Sequence, residues 1–169
     1  MNSDNNIPVE PIEPAQLSNG EQAFITLQQF LQEDGWYPEI VKDKTLCRSF
    51  FKGRNADFRC FAQVRLDLEQ YLFYAVAPFR VPEEFRPAVA EFITRANYGM
   101  RVGNFELDYS DGEVRYKSSL DFEGQPLTAN LIKRATYPAT QMLDRYMPGL
   151  MGVVYGGKEV AQAIKEIEG

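Results

Sequence analysis

The sequence predicts an α+β fold in which one mainly antiparallel β-sheet, a meander plus a hairpin, is packed with helices. Three observations predict it. Apolar residues recur at helical spacing up to Asp34, alternate from Trp36 to Arg80, and return to helical spacing after Pro126. A second alternating stretch, Phe105 to Phe122, is interrupted by Asp111-Gly112, a dipeptide suited to the positive φ angles of a tight hairpin turn. Helix, meander, helix, hairpin, helix is the order of an α+β domain rather than of a βαβ repeat. With 169 residues, 44% of them apolar, and twelve Phe and nine Tyr to fill an interior, the chain is long enough for one core.

Residues 1–19 stand apart from that domain. They carry Asp4, Glu10 and Glu13, no Lys or Arg, and prolines at 8, 11 and 14, so they bury little and are expected to form a disordered acidic tail. The start has neither a basic segment nor an apolar core, which excludes a secretory signal. No later run reaches the roughly 18 apolar residues a bilayer span needs. A cytoplasmic protein with a single domain over 20–169 is the expectation, and two non-vicinal cysteines, which provide no disulfide framework, fit a reducing compartment.

The first helix is predicted over about 19–34. Ser18 and Glu21 have the spacing of a capping box, Ala23, Phe24, Leu27, Phe30 and Leu31 share one face, and Asp34-Gly35 stops the pattern. Strand-like runs follow at Tyr37–Val41, Thr45–Phe51, Phe58–Leu66 and Tyr71–Phe79. In the third, Phe58, Cys60, Ala62, Val64 and Leu66 alternate with Arg59, Phe61, Gln63 and Arg65, which assigns the first set to the core. A tight turn at Leu68 and Glu69 would set Leu66 opposite Tyr71, Val64 opposite Phe73 and Ala62 opposite Ala75.

A second helix is predicted from Pro82 to Asn97, with Phe85, Val89, Phe92, Ile93 and Ala96 on one face. Proline deep in a helix costs about 3 kcal/mol, so its regular part is expected to begin near Pro87 after a short turn. In the hairpin, a two-residue Asp-Gly turn would pair Tyr109 with Val114 and Leu107 with Tyr116 inside, Asp108 with Arg115 and Glu106 with Lys117 outside. Pro126 and Thr128 open a last helical region carrying Leu131, Ile132, Ala135, Met142, Leu143 and Tyr146, with a kink expected at Pro138. An apolar run from Leu150 to Tyr155 follows Pro148-Gly149, and beyond Gly156-Gly157 a short charged helix turns Val160, Ala161, Ile164 and Ile167 inward.

The chemistry is bounded by an omission. The chain has no histidine, which excludes a Ser/His triad, a Cys/His pair and an HExxH zinc site, and Cys47 and Cys60 lie in strands without metal-ligand spacing. Glu106, Asp108, Asp111, Glu113, Asp121 and Glu123 have no calcium-loop spacing and face cations across the hairpin, so they read as a solvated, salt-bridged surface. Gly152 and Gly156-Gly157 make no nucleotide fingerprint. With 24 acidic and 18 basic residues, a net charge of −6, and only Arg59, Gln63 and Arg65 alternating around Phe61 as a basic stripe, nucleic acid is a poor partner. No cofactor, no metal and no catalytic residue are expected.

Several segments together resemble a known family. Arg95-Ala96-Asn97, Gly103-Asn104-Phe105-Glu106-Leu107-Asp108, Asp111-Gly112-Glu113-Val114-Arg115-Tyr116 and Leu127-Thr128 resemble the YbjN-type domain, in the form of its cyanobacterial branch, most closely over about 85–155. These motifs record a helix end, a hairpin and a helix start rather than a catalytic constellation. The resemblance implies a fold similar to type III secretion chaperones and a small, often dimeric domain that binds other proteins as a chaperone-like or regulatory factor. It carries over no catalytic residue.

The residues themselves offer a binding face. With Val64 and Phe73 inward, the opposite face of the meander carries Phe61, Leu72, Tyr74 and Val76, joined by Phe50, an apolar set for a solvated side. Two arrangements stay open: the face is exposed and binds a partner protein or a second copy, or the C-terminal helices cover it. The expected function is a non-enzymatic protein-interaction module, chaperone-like or regulatory, that buries a partner's apolar segment on this face. The alternatives are a small-molecule regulator with a pocket between helix and sheet lined by Tyr71, Tyr116 and Tyr146, and an enzyme built from Asp, Glu, Lys, Tyr or Cys.

Overall fold

A computed structural model describes residues 16–169. The expectation of a disordered tail concerns residues that lie, up to position 15, outside those described. Helix α1 (Asn19–Glu33) starts on the predicted capping box: the Ser18 hydroxyl accepts from the Glu21 amide, and the Glu21 carboxylate accepts from the Ser18 amide at 2.8 Å. Its end is a Schellman turn. Gly35 takes φ 80°, its amide donates to the Gln32 carbonyl, and the Trp36 amide donates to the Leu31 carbonyl at 2.9 Å. That reversal swings Trp36 back against Phe73, with the two rings edge-on at 5.9 Å.

Strands β1 (Glu39–Val41), β2 (Leu46–Lys52), β3 (Asp57–Arg65) and β4 (Gln70–Arg80) form the meander, and β5 (Asn104–Leu107) and β6 (Glu113–Asp121) the hairpin. All six join one antiparallel sheet in the order β1-β2-β3-β4-β6-β5. The predicted faces are those observed, but both predicted registers are two residues off. Val64 pairs with Tyr71, Ala62 with Phe73 and Cys60 with Ala75, because the β3–β4 turn takes four residues, Leu66 to Glu69, with Glu69 left-handed at φ 49°. In the hairpin Leu107 pairs with Val114, Phe105 with Tyr116 and Glu106 with Arg115. The loop spans 108–112 because the Asp108 carboxylate accepts from the amide and hydroxyl of Ser110, forming an Asx turn before Gly112 at φ 75°. Tyr109, expected in the core, therefore sits exposed in the loop. A slip of two keeps every side chain on its face, which is why the alternation survives the error.

Helix α2 (Arg86–Asn97) has Pro87 in its first turn, after a short 3-10 turn over Glu83–Phe85, as the cost of an interior proline requires. Asn97 fastens its end to the sheet, accepting from the Phe105 amide at 2.7 Å and donating to the Phe105 carbonyl at 3.1 Å. Helix α3 (Ala129–Tyr155), capped by Thr128, runs unbroken through both Pro138 and Pro148 and absorbs the run Leu150 to Tyr155 that the sequence set apart. One reason lies in the β2–β3 turn. Pro148 has no N–H for the Asp144 carbonyl four residues back, and the Asn55 side-chain amide donates to that carbonyl at 2.9 Å instead. Helix α4 (Val160–Glu168) buries Val160 and Ala163 with Ile164 and Ile167 partly covered, while Ala161, expected inward, is exposed.

The core lies between the helices and the sheet face bearing Cys60, Ala62, Val64, Tyr71, Phe73 and Tyr116, all at most 1% exposed. Helices α1, α2 and α3 stack on that face and α4 packs outside α2 and α3. The two cysteines are buried there, and desolvation pushes the Cys47 thiol up to about 11 and the Cys60 thiol up to about 12.

Candidate interaction face

Because the helices lie on one side, the other side of the sheet faces outward among the described residues. The C-terminal helices do not cover it: α3 is fixed to the inner face, where the Tyr71 hydroxyl and Thr136 Oγ1 are 2.7 Å apart and the Phe105 and Tyr146 rings meet at 5.4 Å. The register sets out the outer face in rows. One row runs Leu46, Gln63, Leu72, Ser119, the next Arg48, Phe61, Tyr74, Lys117, and the third Phe50, Arg59, Val76, Arg115. Four of the five residues selected from the sequence are accessible: Phe50 is 77% exposed, and Phe61, Leu72 and Tyr74 are half-buried.

Val76 is the exception. It is 3% exposed although it stands outside the main core cluster. Its cross-strand neighbours are Arg59 and Arg115, side chains whose aliphatic stems are long enough to lie over a valine between them. Arg115 is held in place from two sides, by Glu106 at 2.7 Å and by the face of the Tyr74 ring at 4.5 Å. Val76 thus supports the face rather than presenting itself on it.

The apolar rows are rimmed by charge. Glu106 bonds both Arg115 and Lys117, Arg80 bonds Asp111 and Glu113, and Arg48 lies 3.7 Å from Glu39. Partial burial would raise the Glu106 carboxyl, but hydrogen bonds from Lys117 and Arg115 outweigh it and hold it below the usual glutamate value. Asp108 is held low by hydrogen bonds from Ser110 in its own loop, and Asp121 by those from Glu123 in its loop and from Gln70 across the sheet on β4. The hairpin acids thus act as ion-pair partners and loop caps, and no group of three or more Asp, Glu or Cys among the described residues is arranged to hold a metal. Arg59 and Arg65, by contrast, have no ion-pair partner among the described residues.

The tyrosine pocket expected from the sequence is not assembled as predicted. Tyr71 is wholly buried and closes on Thr136, and burial pushes its hydroxyl well above the usual range. Tyr116 and Tyr146 do share a groove of about 420 Å³, but its other walls are the α2–β5 loop, at Met100 and Val102, and α3, at Pro138 and Met142. Sequence reasoning missed Met100 and Val102 because the loop has no periodicity, and it placed Pro138 and Met142 on the last helix without the loop that faces them.

The fold and the face define an α+β domain with its helices confined to one side of an antiparallel sheet and an apolar surface rimmed by ion pairs on the other. The profile of the YbjN family, described as "Putative bacterial sensory transduction regulator", matches residues 26–151, and the chain belongs to that family. Among solved structures, YbjN from E. coli, described as "a putative transcription regulator", aligns with 79% of this chain and 89% of its own at 16% identity and a TM-score of 0.55. The HopA1-SchA chaperone-effector complex aligns with 78% of this chain and 96% of its own at 17% identity and a TM-score of 0.49. The likeness to the E. coli protein is one of fold alone. No curated protein matches the chain in sequence.

Proposed function

We propose that this protein is a non-enzymatic interaction module, chaperone-like or regulatory, that binds a partner protein on the outer face of its sheet in the cytoplasm. The observation that carries the proposal is the one-sided packing of the helices, which leaves Phe50, Phe61, Leu72 and Tyr74 on an accessible surface while the other face forms the core. Burying a side chain such as Phe50, 77% exposed in the single chain, against a partner contributes about 2 kcal/mol through the hydrophobic effect. Arg59, paired across from Phe50, and Arg65, at the far end of the same strand, favour a partner segment that carries carboxylates among its apolar residues. Membership of the YbjN family, described as a regulator, supports the reading. No helix among the described residues is long and apolar enough to cross a membrane.

The test is affinity capture from the native host with mass-spectrometric identification, comparing the wild type with Phe61→Glu, whose fold is checked by circular dichroism. Position 61 lies on the outer face, so the variant is expected to fold and to lose a partner that the wild type holds. A folded variant that retains every partner overturns the placement on the sheet.

A further inference from the structure

On the helical side of the molecule, away from the sheet's outer face, a groove runs between the α2–β5 loop and α3. Its deeper half, about 420 Å³, is walled by Met100, Val102, Tyr116, Pro138, Met142 and Tyr146. It continues along α3 past Tyr137, and Val102, Pro138 and Gln141 belong to both halves. Thioethers, ring edges and a proline ring make a surface that suits a flat apolar body.

The charge around this groove opposes that of the chain. Arg101, Lys133, Arg134 and Arg145 line it, and none of them has an ion-pair partner among the described residues. One carboxylate, Glu168, faces them, and it already accepts the Tyr146 hydroxyl at 2.7 Å. In a protein of net charge −6, four cations against one engaged carboxylate is a local inversion. Two of the cations are held against the wall. Lys133 sits 5.7 Å from the Tyr137 ring centre, and Arg145 sits 5.8 Å from that of Tyr146 while donating to the Ile167 carbonyl at 2.9 Å. Arg101 and Arg134, both exposed and without an ion-pair partner among the described residues, are the cations left to meet an anion.

We propose that this groove is a second binding site, for a small organic carboxylate with a planar apolar body, the body lying among Met100, Tyr116, Met142 and Tyr146 and the anion toward Arg101 and Arg134. The site is independent of the sheet face and stands or falls separately from the protein-interaction reading. Occupancy is visible from within the chain, because the single tryptophan, Trp36, meets the groove residue Tyr137 edge-on at 6.1 Å.

The test uses the full chain with 2-naphthoate as the probe and 2-naphthalenemethanol, its uncharged counterpart, as the control, read by amide chemical shifts and Trp36 fluorescence. Saturable shifts are expected at residues 99–102 and 133–145, with naphthoate bound about tenfold more tightly than the alcohol, a gap that narrows at high salt. The Arg101→Gln/Arg134→Gln double variant changes two exposed positions and is expected to fold and to erase the difference between the probes. The proposal is overturned if neither probe gives saturable groove shifts at millimolar concentration, if both bind equally, or if the shifts fall only on Phe50, Phe61 and Tyr74. That last result would leave the sheet-face reading standing.

Discussion

At the carbonyl of Asp144 a turn of the meander substitutes for a missing helical hydrogen bond, and its contribution is measurable. Asn55→Ala removes only the side-chain donor, since the Asn55 main-chain amide still reaches the Asp144 carboxylate at 2.8 Å. The main bond lost, from Asn55 Nδ2 to the Asp144 carbonyl at 2.9 Å, lies at an exposed turn and contributes about 1 kcal/mol net, and the longer contact of the same nitrogen with the Asp144 carboxylate at 3.4 Å goes with it and is not replaced by a helical N–H. Pro148→Ala returns an N–H to the helix and gives that carbonyl its ordinary donor. In the Pro148→Ala background, Asn55→Ala should therefore cost only about 0.3 kcal/mol, and the double-mutant cycle should show a coupling of about 0.7 kcal/mol. Urea unfolding of the four proteins, compared at constant m-value, measures it. Equal costs of Asn55→Ala in the two backgrounds would refute the claim that the turn replaces the bond proline removes.

Three other outcomes are expected. Gly112→Ala should destabilise by about 2 kcal/mol or more in urea melts, because position 112 has φ 75° and a Cβ there would strike the backbone of Val81. Glu106 is depressed in the folded state, so the stability it contributes is present above its unfolded value, near 4.5, and is lost as pH falls through the lower folded value; Glu106→Gln should flatten the melting temperature against pH in that acid window. Cys47 and Cys60 are buried with raised thiol values, so a thiol reagent at neutral pH should label neither in the native state, and the labelling rate should follow the opening equilibrium as urea is added.

What the sequence made legible were periodicities and caps. The Ser18–Glu21 box, the alternation of Phe58 to Val64 and the placement of Pro87 at a helix start each depend on residues a few positions apart, and each is present in the structure. The strand registers depend instead on turn geometry. Glu69 adopting a left-handed conformation and Asp108 folding onto Ser110 are not visible in a pattern of apolar residues, so each pairing was placed two residues away. The continuity of α3 through Pro148 was hidden for another reason: the donor that serves Asp144 comes from Asn55, 89 residues away in sequence. Of the candidate face, the alternation identified the side, but only the fold could show that Val76 is sheltered and that the C-terminal helices pack on the opposite surface.

The central claim, that the open sheet face is where this protein meets its partner, is tested most directly by placing a photo-crosslinking phenylalanine analogue at Phe50 and, in a second protein, at Leu131 on the exposed flank of α3. Irradiation in the native host should join position 50 to a second polypeptide and leave position 131 unjoined. Cross-links at 131 with none at 50 would contradict the account.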